Sequence, residues 1–266
     1  MFQYENLKME AVLLGTGTSQ GVPVIGCGCP VCQSEDEKDK RLRSSLLLKI
    51  DGENFVIDAG PDFRQQMLRE QVTNLRAILL THEHADHIFG LDDIRSYNWL
   101  QKRPTDIYAE KRVQKALKRI FDYVFAENKY PGIPMMKLHT LDENPFSING
   151  IPFVPIRCFH HKLPVYGFRA GNLSYITDTN FISDDEMVKL KGTKILIINA
   201  LRKEKHISHF NLEQALEVVR LIKPEKAYLT HISHGFGTHK EIQSLLPENV
   251  FVAYDGLRIK IEGENT

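Results

Sequence analysis

Short, largely apolar runs recur along the chain at residues 11–14, 46–50, 55–57, 77–80, 153–156, 173–176, 195–198, 227–229 and 250–253, each bounded by Gly, Pro, Asp or Asn. Runs of this length and punctuation predict buried β-strands. Apolar residues at helical spacing predict helices over 62–70, 109–123, 184–190, 212–222 and 240–245. In the basic stretch 110–119, Val113 and Leu117, with Ile120 just beyond, form one apolar stripe, so its Lys and Arg residues read as the solvated face of a helix. Strands and helices interleave without a linker, repeat or low-complexity tract, which predicts one α/β domain over residues 1–266. The stretch 97–152, with its Pro-rich turn at 130–134, is the least regular and reads as a candidate insertion.

Composition narrows the picture. The 266 residues are 42% hydrophobic, a globular value, with 34 Lys and Arg balancing 34 Asp and Glu. That balance offers no basic footprint for a long nucleic acid. No run approaches the roughly 18 apolar residues of a membrane span. The opening residues lack the basic and apolar regions of a leader, so the expected location is the cytoplasm. The glycines at 15, 17 and 21 follow the first strand with one residue too many for a dinucleotide fingerprint, and Val22, Pro23 and Val24 follow where a helix is required. They read instead as a turn that lets backbone pass close by.

Two clusters carry chemistry. Cys27, Cys29 and Cys32, three of the four cysteines, fall within six residues and are separated by Gly, Pro and Val. This spacing suits a soft metal better than disulfides, and a closed site of this kind needs a fourth ligand. The second cluster is Thr81-His82-Glu83-His84-Ala85-Asp86-His87, directly after an apolar strand. Imidazole and carboxylate are ligands for zinc, manganese or iron. His82 and His84, two apart on an extended loop, point to the same side, while Asp86 and His87 face a neighbouring position as the next helix begins.

The His-x-His-x-Asp-His pattern resembles the signature of the metallo-β-lactamase superfamily, and further motifs follow in that family's order over nearly the whole chain. The resemblance implies a four-layer αββα sandwich, with two mixed β-sheets flanked by helices. It implies a metal pair, zinc or manganese, held by His82, His84 and His160 on one side, by Asp86, His87 and His231 on the other, and bridged by Asp178. Asp58, in Val56-Ile57-Asp58-Ala59-Gly60, matches the carboxylate that supports the ligands from behind. Sequence alone leaves His161 as the rival of His160, a plain turn role for Asp178, and an ordinary strand-ending role for Asp58.

Within the superfamily the cysteines resemble those of the PhnP-type phosphodiesterases. There a histidine three residues after the last active-site histidine completes a structural zinc site, which here selects His234; Cys158 is its rival. The same resemblance places His209 with Asp86 in the catalytic machinery, His209 as the proton donor, and His206 stays open as its rival. Asp92, Asp93 and Arg95 are candidates for lining the pocket, whereas His139 and His239 match nothing and read as surface residues. The expected activity is hydrolysis of a small or cyclic phosphate ester, such as a ribosyl 1,2-cyclic phosphate, by metal-bound hydroxide. Thioester or acyl hydrolysis and tRNA 3′-end processing are the competing activities. The expected partner is a small phosphate ester rather than a nucleic acid or membrane, with a homodimer compatible with the sequence.

Overall fold

The structure, a computed structural model, describes residues 8–128 and 130–261. Residues 1–7, part of the segment scanned for a leader, lie outside the described residues. The first half of the chain builds one sheet from β1 (Met9–Gly15), β2 (Ser45–Ile50), β3 (Glu53–Ile57), β4 (Ala77–Leu79), β5 (Thr105–Glu110) and β6 (Met136–Leu141). The second half builds another from β7 (Phe146–Ile148), β8 (Ile151–His160), β9 (Leu163–Ala170), β10 (Leu173–Ile176), β11 (Phe181–Ile182), β12 (Ile195–Asn199), β13 (Lys226–Thr230) and β14 (Val250–Val252). The last strand, β15 (Arg258–Ile261), returns to the first sheet beside β1, giving the order β15-β1-β2-β3-β4-β5-β6. The second runs β11-β8-β9-β10-β12-β13-β14, with β7 paired to β8. Both sheets are mixed: β3 to β6 and β10 with β12 to β14 are parallel, and the remaining pairs antiparallel.

Helices cover the two outer faces. On the first sheet lie α1 (Phe63–Arg69), α2 (Ala85–Ile88), α3 (Arg95–Gln101), α4 (Lys111–Ile120) and α5 (Asp122–Phe125); on the second lie α6 (Asp184–Leu190), α7 (Leu212–Ile222) and α8 (His239–Gln243). Strand alternation sorts the side chains between layers. In β1, Ala11 and Leu13 join the core between the sheets, where Phe55 packs edge-on against Phe153 at 5.3 Å. Val12 and Leu14 point the other way, onto Phe63, Met67, Val113 and Leu117 of the helices. A third core joins Leu196 and Ile198 of β12 to Ala215, Val218 and Ile242 of the opposite helix layer. Three apolar layers therefore separate four structural layers, the αββα sandwich.

The stretch 97–152 is no insertion. It supplies β5 and β6 to the first sheet and β7 to the second. Two strands are longer or less regular than their apolar content indicates: β8 carries Pro152 and Pro155, and β9 carries Pro164 and Gly167. Gly167 suits a close approach there: a Cβ would lie 2.9 Å from the Tyr175 carbonyl and 2.3 Å from the Ile176 side chain.

Candidate metal centres

The site grows from strand ends. Asp58 follows β3, His82 and His84 follow β4, His160 closes β8, Asp178 follows β10, His209 lies between β12 and α7, and His231 follows β13. Within each sheet these strands share one direction, so their carboxyl ends meet on one rim, the usual ligand position of α/β sheets. Asp58, Asp178 and His231 have φ values of 65°, 51° and 57°. Left-handed backbone at a residue with a side chain costs about 1–3 kcal/mol and survives where surrounding contacts over-determine it. At Asp58 they do: its N–H donates to Leu79 O at 3.0 Å, and the next residue, Ala59, donates to His87 O at 2.7 Å. Gly60 completes this turn because the Asp86 carbonyl lies 1.9 Å from where its Cβ would be.

Hydrogen bonds fix which nitrogen of each ring faces inward. Asp58 accepts from the Thr81 N–H and hydroxyl, both at 2.8 Å, and lies 2.6 Å from His87 Nδ1. With its hydrogen given to Asp58, Thr81 Oγ1 accepts from His82 Nδ1 at 2.9 Å. His160 Nδ1 donates to Ser208 O at 2.7 Å. So His82, His87 and His160 each turn Nε2 toward the centre, the arrangement in which outer partners orient metal-binding rings. His82 Nε2 and His84 Nδ1 are 3.0 Å apart. His87 Nε2 lies 3.1 Å from Asp86 and 3.2 Å from Asp178, and His231 Nδ1 lies 3.2 Å from Asp178.

That geometry calls for a cation. His87 Nε2 is buried without a hydrogen-bond partner while two carboxylates face it. Burial works to lower the His87 pKa, but Asp178, Asp86 and Asp58 outweigh it and hold it well above the ordinary value. Burial likewise pushes Asp178 upward, and His231 and His87 overcome it, leaving the carboxyl well below its ordinary range. His82 and His84 move the other way, lowered first by burial and then by His87 and His160 respectively. Neutral rings and ionised carboxylates are the forms that bind metal. The nitrogen and oxygen donors around Asp178 could hold divalent ions such as zinc or manganese. The rings are packed closely, His82 against His87 at 4.2 Å, and His209 joins His160 and Asp178 within ligand reach of one another.

The cysteine cluster is separate and complete. His234 Nδ1 lies 3.3, 3.5 and 3.6 Å from the sulfurs of Cys27, Cys29 and Cys32. The Cys29 thiol is lowered to about 6, first by the Cys32 backbone N–H and then by His234, whereas burial pushes Cys32 up to about 11. Cys158 takes no part. It is fully buried in the core behind the second sheet, and burial pushes its thiol up to about 12.

The neighbouring histidines separate equally well. The His160 ring faces the pocket, while His161 is exposed on a left-handed turn (φ 58°) with its N–H donating to Asn180. His209 stacks on His231 at 4.8 Å and lies 3.9 Å from Asp178; His206 stands one ring further out, 5.3 Å from His209. Arg95 pairs with Asp92 and lines a different cleft of about 590 Å³ with Trp99, Ile133 and Met135. His139 pairs with Asp106 at 2.7 Å, and His239 is half-buried at the start of α8, its N–H donating to Asp39, so neither is a free surface ring. The glycine turn after β1 behaves as its sequence indicates: a Cβ at Gly15 would meet Arg43 O at 1.9 Å and one at Gly17 would meet Arg41 O at 2.9 Å.

Several contributors carry no signal in the sequence. Thr81, Ser44 (whose hydroxyl lies 3.3 Å from His231 Nδ1) and the Ser208 carbonyl are ordinary groups until folding brings them to a ring. Glu83, between His82 and His84, pairs with Arg112, which also donates to Pro164 O at 2.5 Å. That pair braces the histidine loop from outside.

Two packed mixed sheets with a histidine–carboxylate rim at their strand ends are the architecture of the metallo-β-lactamase type. Comparison with known proteins agrees. Residues 53–232 match the family described as the beta-lactamase superfamily domain. A crystal structure of a diphosphatase from the PhnP family superposes with a TM-score of 0.91 at 37% identity, covering 97% of this chain and 99% of that one. The chain belongs to the metallo-β-lactamase superfamily and, within it, to the PhnP family. Zinc-bound PqqB from Methylobacterium extorquens shares the fold, with a TM-score of 0.77 at 20% identity over 95% of this chain and all of that one. An octanoyltransferase of Porphyromonas gingivalis is 42% identical over 257 residues, 96% of this chain but 52% of its own length. The chain spans about half the length of the curated relatives it matches.

Proposed function

We propose that the chain hydrolyses a phosphate ester, most specifically a small or cyclic phosphodiester, with divalent ions held by His82, His84, His160, Asp86, His87, His231 and Asp178. The observation that carries this reading is the buried, unpartnered Nε2 of His87 facing Asp86 and Asp178. Carboxylates at this density repel an anionic phosphate, so a phosphate reaches the pocket only when cations offset them. Ions held there would stabilise charge on phosphoryl oxygen and bring the pKa of water near neutrality. Asp58 holds His87 directly and His82 through Thr81, so one carboxylate orients ligands on both sides of the pocket.

His209 is the group placed to hand a proton to the leaving oxygen. It is largely buried, 3.9 Å from Asp178, and its Nδ1 has no hydrogen-bond partner. Burial, followed by His231, lowers its pKa to about 2 among unshielded neighbours. A neutral ring in that position can donate only after it has taken up a proton, such as the one the attacking water would lose, so it would act first as base and then as acid. The diphosphatase relative, similar over nearly its whole length, supports phosphorus chemistry. The octanoyltransferase name belongs to a chain about twice as long, of which this chain matches about half. Among the described residues no cysteine stands free as an acyl carrier: Cys158 is buried in the core, and the other three gather at His234.

The test loads the protein with zinc or manganese and measures turnover of bis(p-nitrophenyl) phosphate, a thioester, a β-lactam and a precursor tRNA. Phosphodiester turnover is expected, and His209→Ala lowers its kcat by about 10²-fold or more, the scale of a lost general acid. Thioester turnover without phosphodiester turnover would replace the proposal with acyl hydrolysis.

A further inference from the structure

Behind the groups that face the pocket, one buried amide determines how two of them stand to each other. Strand β10 pairs in parallel with β12 only as far as Ile176 opposite Ile198. Two residues later Asp178 takes left-handed backbone (φ 51°), and the chain leaves the sheet. Thr179, wholly buried, then lacks the strand neighbour that would pair its N–H and carbonyl. Asn199, the last residue of β12 and also wholly buried, takes that neighbour's place. Its Oδ1 accepts from the Thr179 N–H at 3.1 Å, and its Nδ2 donates to the Thr179 carbonyl at 3.0 Å. A side-chain amide carries the same donor and acceptor as a peptide, and since an N–H can only donate, its partners fix which way it points.

The loop from β12 to α7 is anchored at the same residue. The Phe210 N–H donates to the Thr179 carbonyl at 2.7 Å, occupying its other lone pair. The N–H that Asn199 holds belongs to the peptide joining Asp178 to Thr179, and the N–H at the carbonyl belongs to the peptide joining His209 to Phe210. Asp178 and His209 are thus each one peptide plane away from Thr179, and His209 Nδ1 comes to 3.9 Å from Asp178 Oδ1. On a third side, Thr179 Oγ1 and the Asn180 N–H donate to Phe159 O at 3.1 and 2.9 Å, one residue before His160.

We infer that Asn199 is a positioning residue: its amide clamps Thr179 and thereby sets the spacing between His209 and Asp178. The inference rests on the hydrolytic reading, in which His209 moves the proton. Without the clamp the Asp178–Thr179 peptide is free to rotate, and the single Phe210 bond does not fix the two side chains against each other. A misplacement of about 1 Å in such a pair costs up to about 10²-fold in rate. The Asp178 carboxylate keeps the Thr177 hydroxyl at 2.8 Å and the His87 and His231 rings at 3.2 Å, so the loss falls on proton transfer more than on metal binding.

Asn199→Leu keeps the volume and Asn199→Ala does not, but both remove the two bonds. In the zinc-loaded protein each should lower kcat for bis(p-nitrophenyl) phosphate by about 10- to 100-fold, with KM changed by less than about twofold. In a His209→Ala background the same substitutions should cost less than about threefold, because the group they displace is already gone. Equal losses in the two backgrounds would mark general damage and overturn the inference. Residue-resolved amide hydrogen exchange reads the clamp without turnover: Thr179 and Phe210 should lose at least about tenfold in protection, while Val218 and Leu229 in the adjoining core keep theirs. Unchanged protection at Phe210, or equal loss at all four positions, would also overturn it. An unaltered protein that turns over no phosphodiester, with the local loss of protection still seen in the variants, would overturn the hydrolytic reading and leave the clamp supported.

Discussion

The thiolate cluster and the histidine–carboxylate pocket are assembled in opposite ways. Three of the four residues of the first come from one six-residue turn, and around them only Val22, Val24 and Val31 form a small apolar satellite apart from the three main cores. The pocket draws its residues from several strand ends, its rings held by hydrogen bonds with Thr81, Asp58, Ser208 or Ser44 and packed over continuous cores. A turn with so little apolar support would depend on a bound metal for its shape, whereas the pocket is shaped by the sheets themselves. In the proposed reading, the difference separates an ion that would fold the chain from ions that the folded chain would present to a substrate.

The two are nevertheless stitched together. His231 and His234 share one loop, and between them Ile232 N–H donates to Thr16 O at 2.8 Å, on the segment that leads into the cysteines. Thr16 and the Leu42 N–H also donate to Asp255, at 2.8 and 2.7 Å. Damage at the thiolates should therefore reach His231 through the loop.

The largest effect is expected at the pocket. Asp178→Asn keeps the volume and removes the charge shared by His87 and His231, and should lower metal affinity by more than about 100-fold, since outer partners of ligands alone are worth about 10–100-fold. Metal titration followed by a turnover assay checks this, and retained affinity would mean that the carboxylate is not a ligand. A smaller, differently distributed effect is expected for Cys29→Ala: one metal per chain lost, the melting temperature down by about 5 °C, equivalent to about 2 kcal/mol, and turnover reduced. Loss of the metal with unchanged stability would dissolve the contrast between the two clusters.

A third effect, confined to the pH dependence of stability, lies at the stitching. Burial raises Asp255 to about 6, even though Leu42 N–H, Thr16 and nearby arginines pull it down. A raised carboxyl binds its proton more tightly folded than unfolded. Its stabilising contribution is thus full below the ordinary value near 3.8 and is lost as pH rises through about 6. The whole change is on the order of 3 kcal/mol at most. Urea unfolding at a series of pH values should show this decline, and Asp255→Asn should flatten it between about pH 4 and 6. An unaltered slope in the variant would place the titration elsewhere.

Much of the site is legible in the sequence because metal ligands are rare residue types at fixed spacing: His82, His84, Asp86 and His87 declare themselves, and Asp58, His160, Asp178 and His231 follow from family order. The choice between His160 and His161 depends on which way a ring turns at a strand end, and that between His209 and His206 on how the loop from β12 to α7 closes; neither is written in the residue spacing. β5 and β6 are hard to see because Pro104 and Pro134 break their flanks and half-exposed positions blur the apolar pattern. β9 is hidden by Gly167, whose reason lies in the close approach of Tyr175 and Ile176 on the neighbouring strand. Bracing groups such as Ser44 and Arg112 are invisible for a simpler reason: Ser44 meets a ring 187 positions away, and Arg112 reaches back to Glu83 from another element.

The pairing of β15 with β1 places Ile261 opposite Met9, at the amino-terminal edge of the parallel strands whose other edge carries the pocket. Met9 and Ile261 therefore both lie on the side of the sandwich away from the mouth. The same proximity makes the molecule a natural subject for circular permutation: a short linker joining these two strands, with new ends opened in an exposed turn, should preserve the rim intact.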